Sequence, residues 1–250
     1  NVFGTLFVAR AAMESGVARR PVANIEAYKE DLDRSVFKSA FIMRPVFDAA
    51  KNTERTIIFA EGESERVLRA ASAMLEEGVD KPILIGRPEV VQRRIAAAGL
   101  TIEAGKDFDL MNPQSDRRYR YYWQTYYGIM KRRGVTPDLA KAIMRTNSTA
   151  IGAIAVHRGE ADSLICGTFG QYLWHLKYVN EVLGQHGLHP VGALSLMIQG
   201  KGPLFVADTQ VNPEPSSQQI AETVLGAARH VRRFGLEPRI ALLSHSQFGN

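Results

Sequence analysis

Thr56-Ile57-Ile58-Phe59-Ala60, followed at once by Glu61-Gly62-Glu63-Ser64, decides how this chain is read. The first five residues form an apolar run of the length of a buried strand. The next four make a glycine-containing loop, and Val67, Leu68, Ala71 and Leu75 then recur at helical spacing between Glu65 and Glu77. Pro82-Ile83-Leu84-Ile85-Gly86 repeats the strand, and Pro88 to Ala97 repeats the helix, with Pro88 suited to its first turn. Phe108-Asp109-Leu110-Met111 supplies a third strand. Strand, loop, helix and strand again predict a parallel α/β fold.

Outward from that core the pattern continues. Residues 1–50 read as a helical junction or docking segment, with a small-residue helix stopped at Gly16. Asn24 then caps one or two amphipathic helices, broken near Pro45. Tyr119, Trp123, Tyr127 and Met130 give the stripe of a packed helix, Thr136-Pro137-Asp138 starts another, and a third begins near Ser148. Ala161 to Ile165 is a strand leading into Cys166-Gly167-Thr168. Residues 193–198 and 204–208 are close enough to form an antiparallel pair on an otherwise mixed sheet. A helix after Pro215 carries Ile220, Val224, Ala228, Val231 and Phe234 and stops at Gly235. Ile240-Ala241-Leu242-Leu243-Ser244 reads as a last strand. The predicted class is α/β, with mixed, mostly parallel sheets and flanking helices. Residues 51–250 form one region of two lobes, incomplete at the C-terminus because the final strand has no helix after it.

Composition narrows the function. At 250 residues, 45% hydrophobic and 23% charged, the chain reads as an ordinary globular protein. It has no apolar run near membrane-spanning length and no signal-like start, which predicts a cytoplasmic protein with no membrane partner. One cysteine excludes an intrachain disulfide and a cysteine-rich metal site, and the six histidines form no HExxH pattern, so no metal site is predicted. The net charge of +5 suits a phosphate-bearing coenzyme without demanding nucleic acid. Arg117-Arg118-Tyr119-Arg120-Tyr121-Tyr122-Trp123 has the composition of a stacking platform, but its spacing reads as a packed helix with a solvated basic face.

Ligands of parallel α/β folds gather at the carboxyl ends of strands. Four such loops stand out: Glu61 to Ser64, Cys166 to Thr168, Asp208 to Asn212, and Ser244 to Ser246. The last three offer hydroxyls, amides and backbone donors for phosphate or carbonyl oxygens. The binding residues predicted from them are Cys166, Gly167, Thr209, Asn212, Ser244 and Ser246. Cys166 reads as a buried or ligand-lining thiol, since the sequence sets no base beside it and His175 lies nine positions on. Glu61 and Glu63 point opposite ways if extended, and so make a poor carboxylate pair. There is no complete dinucleotide fingerprint or phosphate-loop motif.

Several longer stretches carry a family resemblance. Glu61-Gly62-Glu63, Lys81 to Gly86, Gly159-Glu160-Ala161-Asp162, Val211-Asn212-Pro213 and Phe234 to Ser244 resemble the phosphate acetyltransferase/butyryltransferase family. Ala11 to Ala18, Ile129 to Thr136 and Ile165 to Thr168 resemble more closely the carboxyl-terminal region of large bacterial NADP-dependent malic enzymes. That resemblance implies a regulatory, oligomer-forming module that binds acetyl-CoA. Its partner would be an amino-terminal catalytic domain that converts malate to pyruvate with NADP and Mg or Mn. Transferases of the family carry Ser-Gly-Ala, then His-Ser/Thr, an Asp and Arg-Pro. Here Cys166-Gly167-Thr168, Gly170-Gln171, Trp174 and Lys177-Tyr178 stand at those places, so no catalytic residue is assigned. The alternatives are an active phosphate acetyltransferase and a purely structural assembly domain.

Overall fold

The computed structural model describes residues 24–53, 55–78, 81–184, 192–199 and 202–243, together with Ala11, Met13 and Glu14. The chain divides into two compact units, Ala50–His189 and a second built from Asn1–Ala49 with Pro190–Asn250. The first described helix, α1 (Ile25–Lys51), starts at the Asn24 cap, whose Oδ1 accepts from the Glu26 and Ala27 amides. Contrary to the break predicted near Pro45, α1 runs through that proline. Pro45 stands exposed, where the carbonyl deprived of its donor can turn towards water. The small-residue helix predicted to stop at Gly16 lies mostly outside the described residues.

In the first unit the order is β1 (Ile57–Phe59), α2 (Glu65–Glu76), β2 (Ile83–Ile85), α3 (Pro88–Ala97) and β3 (Asp109–Met111). Then follow α4 (Tyr119–Met130), α5 (Pro137–Thr146), α6 (Ser148–His157), β4 (Ser163–Ile165) and α7 (Tyr172–Leu183). The strands pair in parallel in the order β3-β2-β1-β4, with Ile58 opposite Ile83 and Leu164. Side chains alternate across this sheet as a period of two requires. Phe59 and Leu84 pack with Val67, Leu68 and Val91 of α2 and α3 on one face. Ile58, Ile83 and Ile85 pack with residues of α4, α5, α6 and α7 on the other. Covering both faces explains why the strands read as continuous apolar runs.

α6 is the central helix of that second layer, with Thr149 to Ala155 all buried. Gly152 lets it lie against the sheet, because a Cβ there would come 2.5 Å from Leu164 Cδ1. Thr136 caps α5 by accepting from the Leu139 amide, and Asn147 caps α6 by accepting from Ala150. In α4 the fully buried stripe is Tyr122, Tyr126 and Met130, a shift from the predicted Tyr119, Trp123, Tyr127 and Met130. Tyr119, Trp123 and Tyr127 flank it, partly buried. The shift follows from the polar ends of the two inner tyrosines: Tyr122 donates to Glu160 at 2.6 Å and Tyr126 to Glu181 at 2.9 Å.

The second unit holds β5 (Leu194–Gln199), β6 (Gly202–Ala207) and α8 (Ser217–Arg233). β5 and β6 form the predicted antiparallel pair, but among the described residues they make a two-stranded sheet of their own. The pairing runs the whole length of both strands, from Leu194 opposite Ala207 to Gln199 opposite Gly202. Ser216 and Gln219 form a reciprocal capping box at the start of α8, and Gly235, at φ +71°, follows its end. Phe205 meets Phe234 edge to face, with centroids 5.3 Å apart. The predicted strand from Ile240 is not formed among the described residues, and Leu243 is 93% exposed. Apolar composition favours a strand, but a strand exists only when a neighbour takes up its backbone groups.

Candidate functional site

At the carboxyl ends of β1, β2 and β4 the connecting loops are tied to one another. Past Phe59 the chain stays in register for one more residue, the Ala60 amide donating to the Ile165 carbonyl at 2.9 Å. It then turns at Gly62, whose amide donates to the Ile85 carbonyl at 2.9 Å. Only glycine fits this turn: an added Cβ would lie 2.8 Å from both Ile85 O and Leu84 Cβ.

The turn sends Glu61 and Glu63 to different partners, as their separation of two predicts. Glu63 accepts from the backbone amide, Nε and Nη2 of Arg87, and that bidentate guanidinium holds its carboxyl below the ordinary range. Glu61 is buried instead, and both of its oxygens accept from the Gly167 amide, at 3.0 and 3.2 Å. A buried acid from the β1 loop thus takes up a backbone donor of the β4 loop.

His175, in the first turns of α7, closes the other end of that loop. It is 5% exposed, with Nε2 2.7 Å from the Phe169 carbonyl and Nδ1 2.8 Å from Thr149 Oγ1 on α6. A carbonyl only accepts, so Nε2 carries a hydrogen, and in the neutral ring Nδ1 accepts from the Thr149 hydroxyl. Nδ1 also lies 3.9 Å from Glu61 Oε1. Gly170, at φ +88°, gives the ring its room, since a Cβ there would lie 3.2 Å from Nε2. Gly167 also has a left-handed backbone, at φ +98°.

Cys166 is half-buried beside this cluster. Burial, and then the negative charge of Glu61, push its thiol up, with the nearby Thr149 opposing that shift to a smaller extent. The sulfur is therefore a protonated thiol at neutral pH, which fits the ligand-lining reading better than a nucleophile. Nor is His175 free to act as a base, because both ring nitrogens are engaged. Among the described residues no three His, Cys, Asp or Glu side chains stand together to hold a metal ion.

The predicted binding residues fall into separate groups. Cys166 and Gly167 stand on the β4 loop of the first unit, beside Glu61 of the β1 loop, Thr149 of α6 and His175 of α7. Thr209 and Asn212 lie after β6 in the second unit. There Asp208 accepts from the amides of Ala193, Gln210, Val211 and Asn212 and from the Asn212 side chain. Thr209 Oγ1 meets Ser195 Oγ at 3.1 Å. Asn212 also lines an apolar groove of about 870 Å³ between β6, α8 and residues 236–243. Ser244 and Ser246 lie outside the described residues. The loops were predicted to offer backbone donors to phosphate, but the Gly167, Gln210, Val211 and Asn212 amides are already taken by carboxylates of the chain. Sequence reasoning missed Glu61, Thr149 and His175 as one cluster. The acid was visible in its loop, whereas nothing in the sequence linked it to positions 149 and 175.

Comparison with known proteins gives this arrangement its relatives. The chain is 52% identical over 245 residues to an NAD-dependent malic enzyme of Rhizobium meliloti, covering 97% of this chain and 32% of that protein. It is 49% identical over 244 residues to the NADP-dependent malic enzyme of Escherichia coli, with the same coverage. The chain thus spans about a third of the length of these relatives. A phosphate acetyltransferase of Synechocystis is 32% identical over 199 residues, covering 79% of this chain and 28% of that protein. Among solved structures, the EutD phosphotransacetylase from Staphylococcus aureus superposes with a TM-score of 0.72 at 26% identity, covering 84% of this chain and 62% of that one. A phosphotransacetylase from Streptococcus pyogenes shares the fold, with a TM-score of 0.74 at 23% identity. The family model for phosphate acetyl/butaryl transferase matches residues 41–250, and the chain belongs to that family.

Proposed function

We propose that this chain is the acetyl-CoA-binding, regulatory and oligomer-forming part of a malic enzyme, keeping the transferase fold without acyl transfer. The observation that carries the reading is the state of the β4 loop. Its nearest acid and base, Glu61 and His175, are buried and spent on loop contacts, and its thiol is held protonated. Moving an acetyl group from CoA to phosphate requires a place for phosphate beside the thioester and donors for the developing oxyanion. The Gly167 amide that would serve as such a donor faces a carboxylate. A ligand surface remains, since Phe169, Tyr172, Leu173 and Trp174 are exposed around the loop and give ring and alkyl area for a nucleotide thioester to cover.

Malate oxidation, NADP and a divalent Mg or Mn belong in this reading to the catalytic domain of the whole enzyme, the partner of this module. The described residues offer no metal-ligand cluster. No described helix is long and apolar enough to cross a membrane. The test is calorimetric titration of the chain with acetyl-CoA, run beside an assay for acetyl phosphate from acetyl-CoA and phosphate. Saturable binding without acetyl phosphate supports the reading. Steady acetyl phosphate formation makes the chain a transferase, and no binding together with concentration-dependent association makes it an assembly domain. Regulation further requires that acetyl-CoA change malate oxidation in the complete enzyme.

A further inference from the structure

The loop of residues 166–170 is held at both ends by buried ionisable groups from different elements. Its entry is fixed by Glu61, which receives the Gly167 amide on both carboxylate oxygens. Its exit is fixed by His175, which donates from Nε2 to the Phe169 carbonyl. The two holders face each other at 3.9 Å, and Thr149 Oγ1 supports the ring from α6 at 2.8 Å. Glycines stand where the geometry needs them, at φ +98° for Gly167 and φ +88° for Gly170. Within the held segment the Phe169 ring faces outward, 68% exposed, while the Thr168 hydroxyl is turned inward and buried. Such a loop has its backbone preset and its recognition surface left free.

We propose that Glu61 and His175 are positioning residues for this loop, a buried acid–base latch that fixes the face it presents to the effector. The assignment of an effector rests on the function proposed above; the latch itself does not. Neither residue touches the ligand in this scheme, and each acts through the backbone of residues 167–169. The single cysteine of the chain sits at the start of the loop and reports on it.

The test is alkylation of Cys166 by iodoacetamide in the intact chain, followed against pH, with thermal melts as the check on folding. Glu61→Gln removes the charge facing the sulfur and one acceptor of the Gly167 amide. It is expected to speed alkylation about threefold or more at about neutral pH and to move the pH midpoint down. His175→Gln can still donate to the Phe169 carbonyl and is expected to stay within about twofold of the parent. His175→Asn is too short to reach it and is expected to speed alkylation as Glu61→Gln does. A general loosening of the core would speed both His175 variants alike and leave the midpoint of the Glu61 variant in place; that result overturns the proposal. Amide hydrogen exchange on the unaltered chain needs no variant. The Gly167 amide is expected to be protected at least about a hundredfold, and a freely exchanging Gly167 also overturns the latch. Acetyl-CoA added to the parent separates the two ideas. If the variants behave as expected but acetyl-CoA fails to shield Cys166, the latch stands and the effector assignment falls.

Discussion

At Gly62 a single hydrogen atom in place of a side chain allows the β1 loop to fold over β2. The neighbours of an added Cβ are a carbonyl oxygen and a Cβ, both 2.8 Å away, and neither can swing aside as a long side chain would. Gly62→Ala is therefore expected to lower stability by about 1–3 kcal/mol, read as a lower urea midpoint with an unchanged slope. Glycine in the motif Glu61-Gly62-Glu63 was legible as a turn, and the divergence of its two acids followed from their spacing. What the sequence did not reveal was where each acid went. Glu61 meets Gly167 across more than a hundred positions (|i−j| = 106), and the pairing depends on β4 lying beside β1. Local patterns carry no signal for such contacts, which is why His175 read as too far along the chain to matter to Cys166.

Elements were more legible than contacts, because caps and apolar periods are local. Pro88, Thr136 and Ser148 each marked a helix start that the fold has, within a residue. Two elements departed from their patterns for tertiary reasons: Ile240 onward lacks a strand neighbour among the described residues, and Pro45 is tolerated on an exposed side of α1. In α8, Ser216→Ala removes one half of the capping box and is expected to cost about 1 kcal/mol, with a matching drop in melting temperature. In α4, burial and then the Glu160 hydrogen bond push the Tyr122 phenol up. An acid whose folded value is raised keeps its proton longer in the folded state, so its share of stability is full below the unfolded value near ~10 and is lost above it. Melting temperature is thus expected to fall between about pH 9 and about pH 11, and Tyr122→Phe should flatten that fall. An equal fall in the variant would remove Tyr122 as the cause.

For the whole molecule, the fold class was readable from one strand–loop–helix–strand repeat, and the family from stretches spread along nearly the entire chain. Two lobes were expected after residue 50, but where the units divide was harder to see, since the antiparallel pair read as part of one mixed sheet rather than as a sheet of its own. The function proposed for the chain makes its own demand at this scale. Phe169→Ala removes an exposed ring, so folding stability should stay within about 0.5 kcal/mol. If the ring stacks on the nucleotide, acetyl-CoA binding should weaken about tenfold by calorimetry. Unchanged affinity would move the binding surface elsewhere.

The order β3-β2-β1-β4 leaves β4 at the margin of the parallel sheet, hydrogen-bonded on one side among the described residues. A margin strand is open to pairing with foreign chains, and it is commonly blunted by shortness and charge. Both devices are present, since β4 is three residues long and Asp162, just before it, is ion-paired with Arg55 at 2.7 Å. The loop proposed to meet the effector is therefore mounted on the border of the β-layer. The shortness of β4 thus guards the chain as well as carrying that loop, and lengthening the strand would be expected to invite self-association.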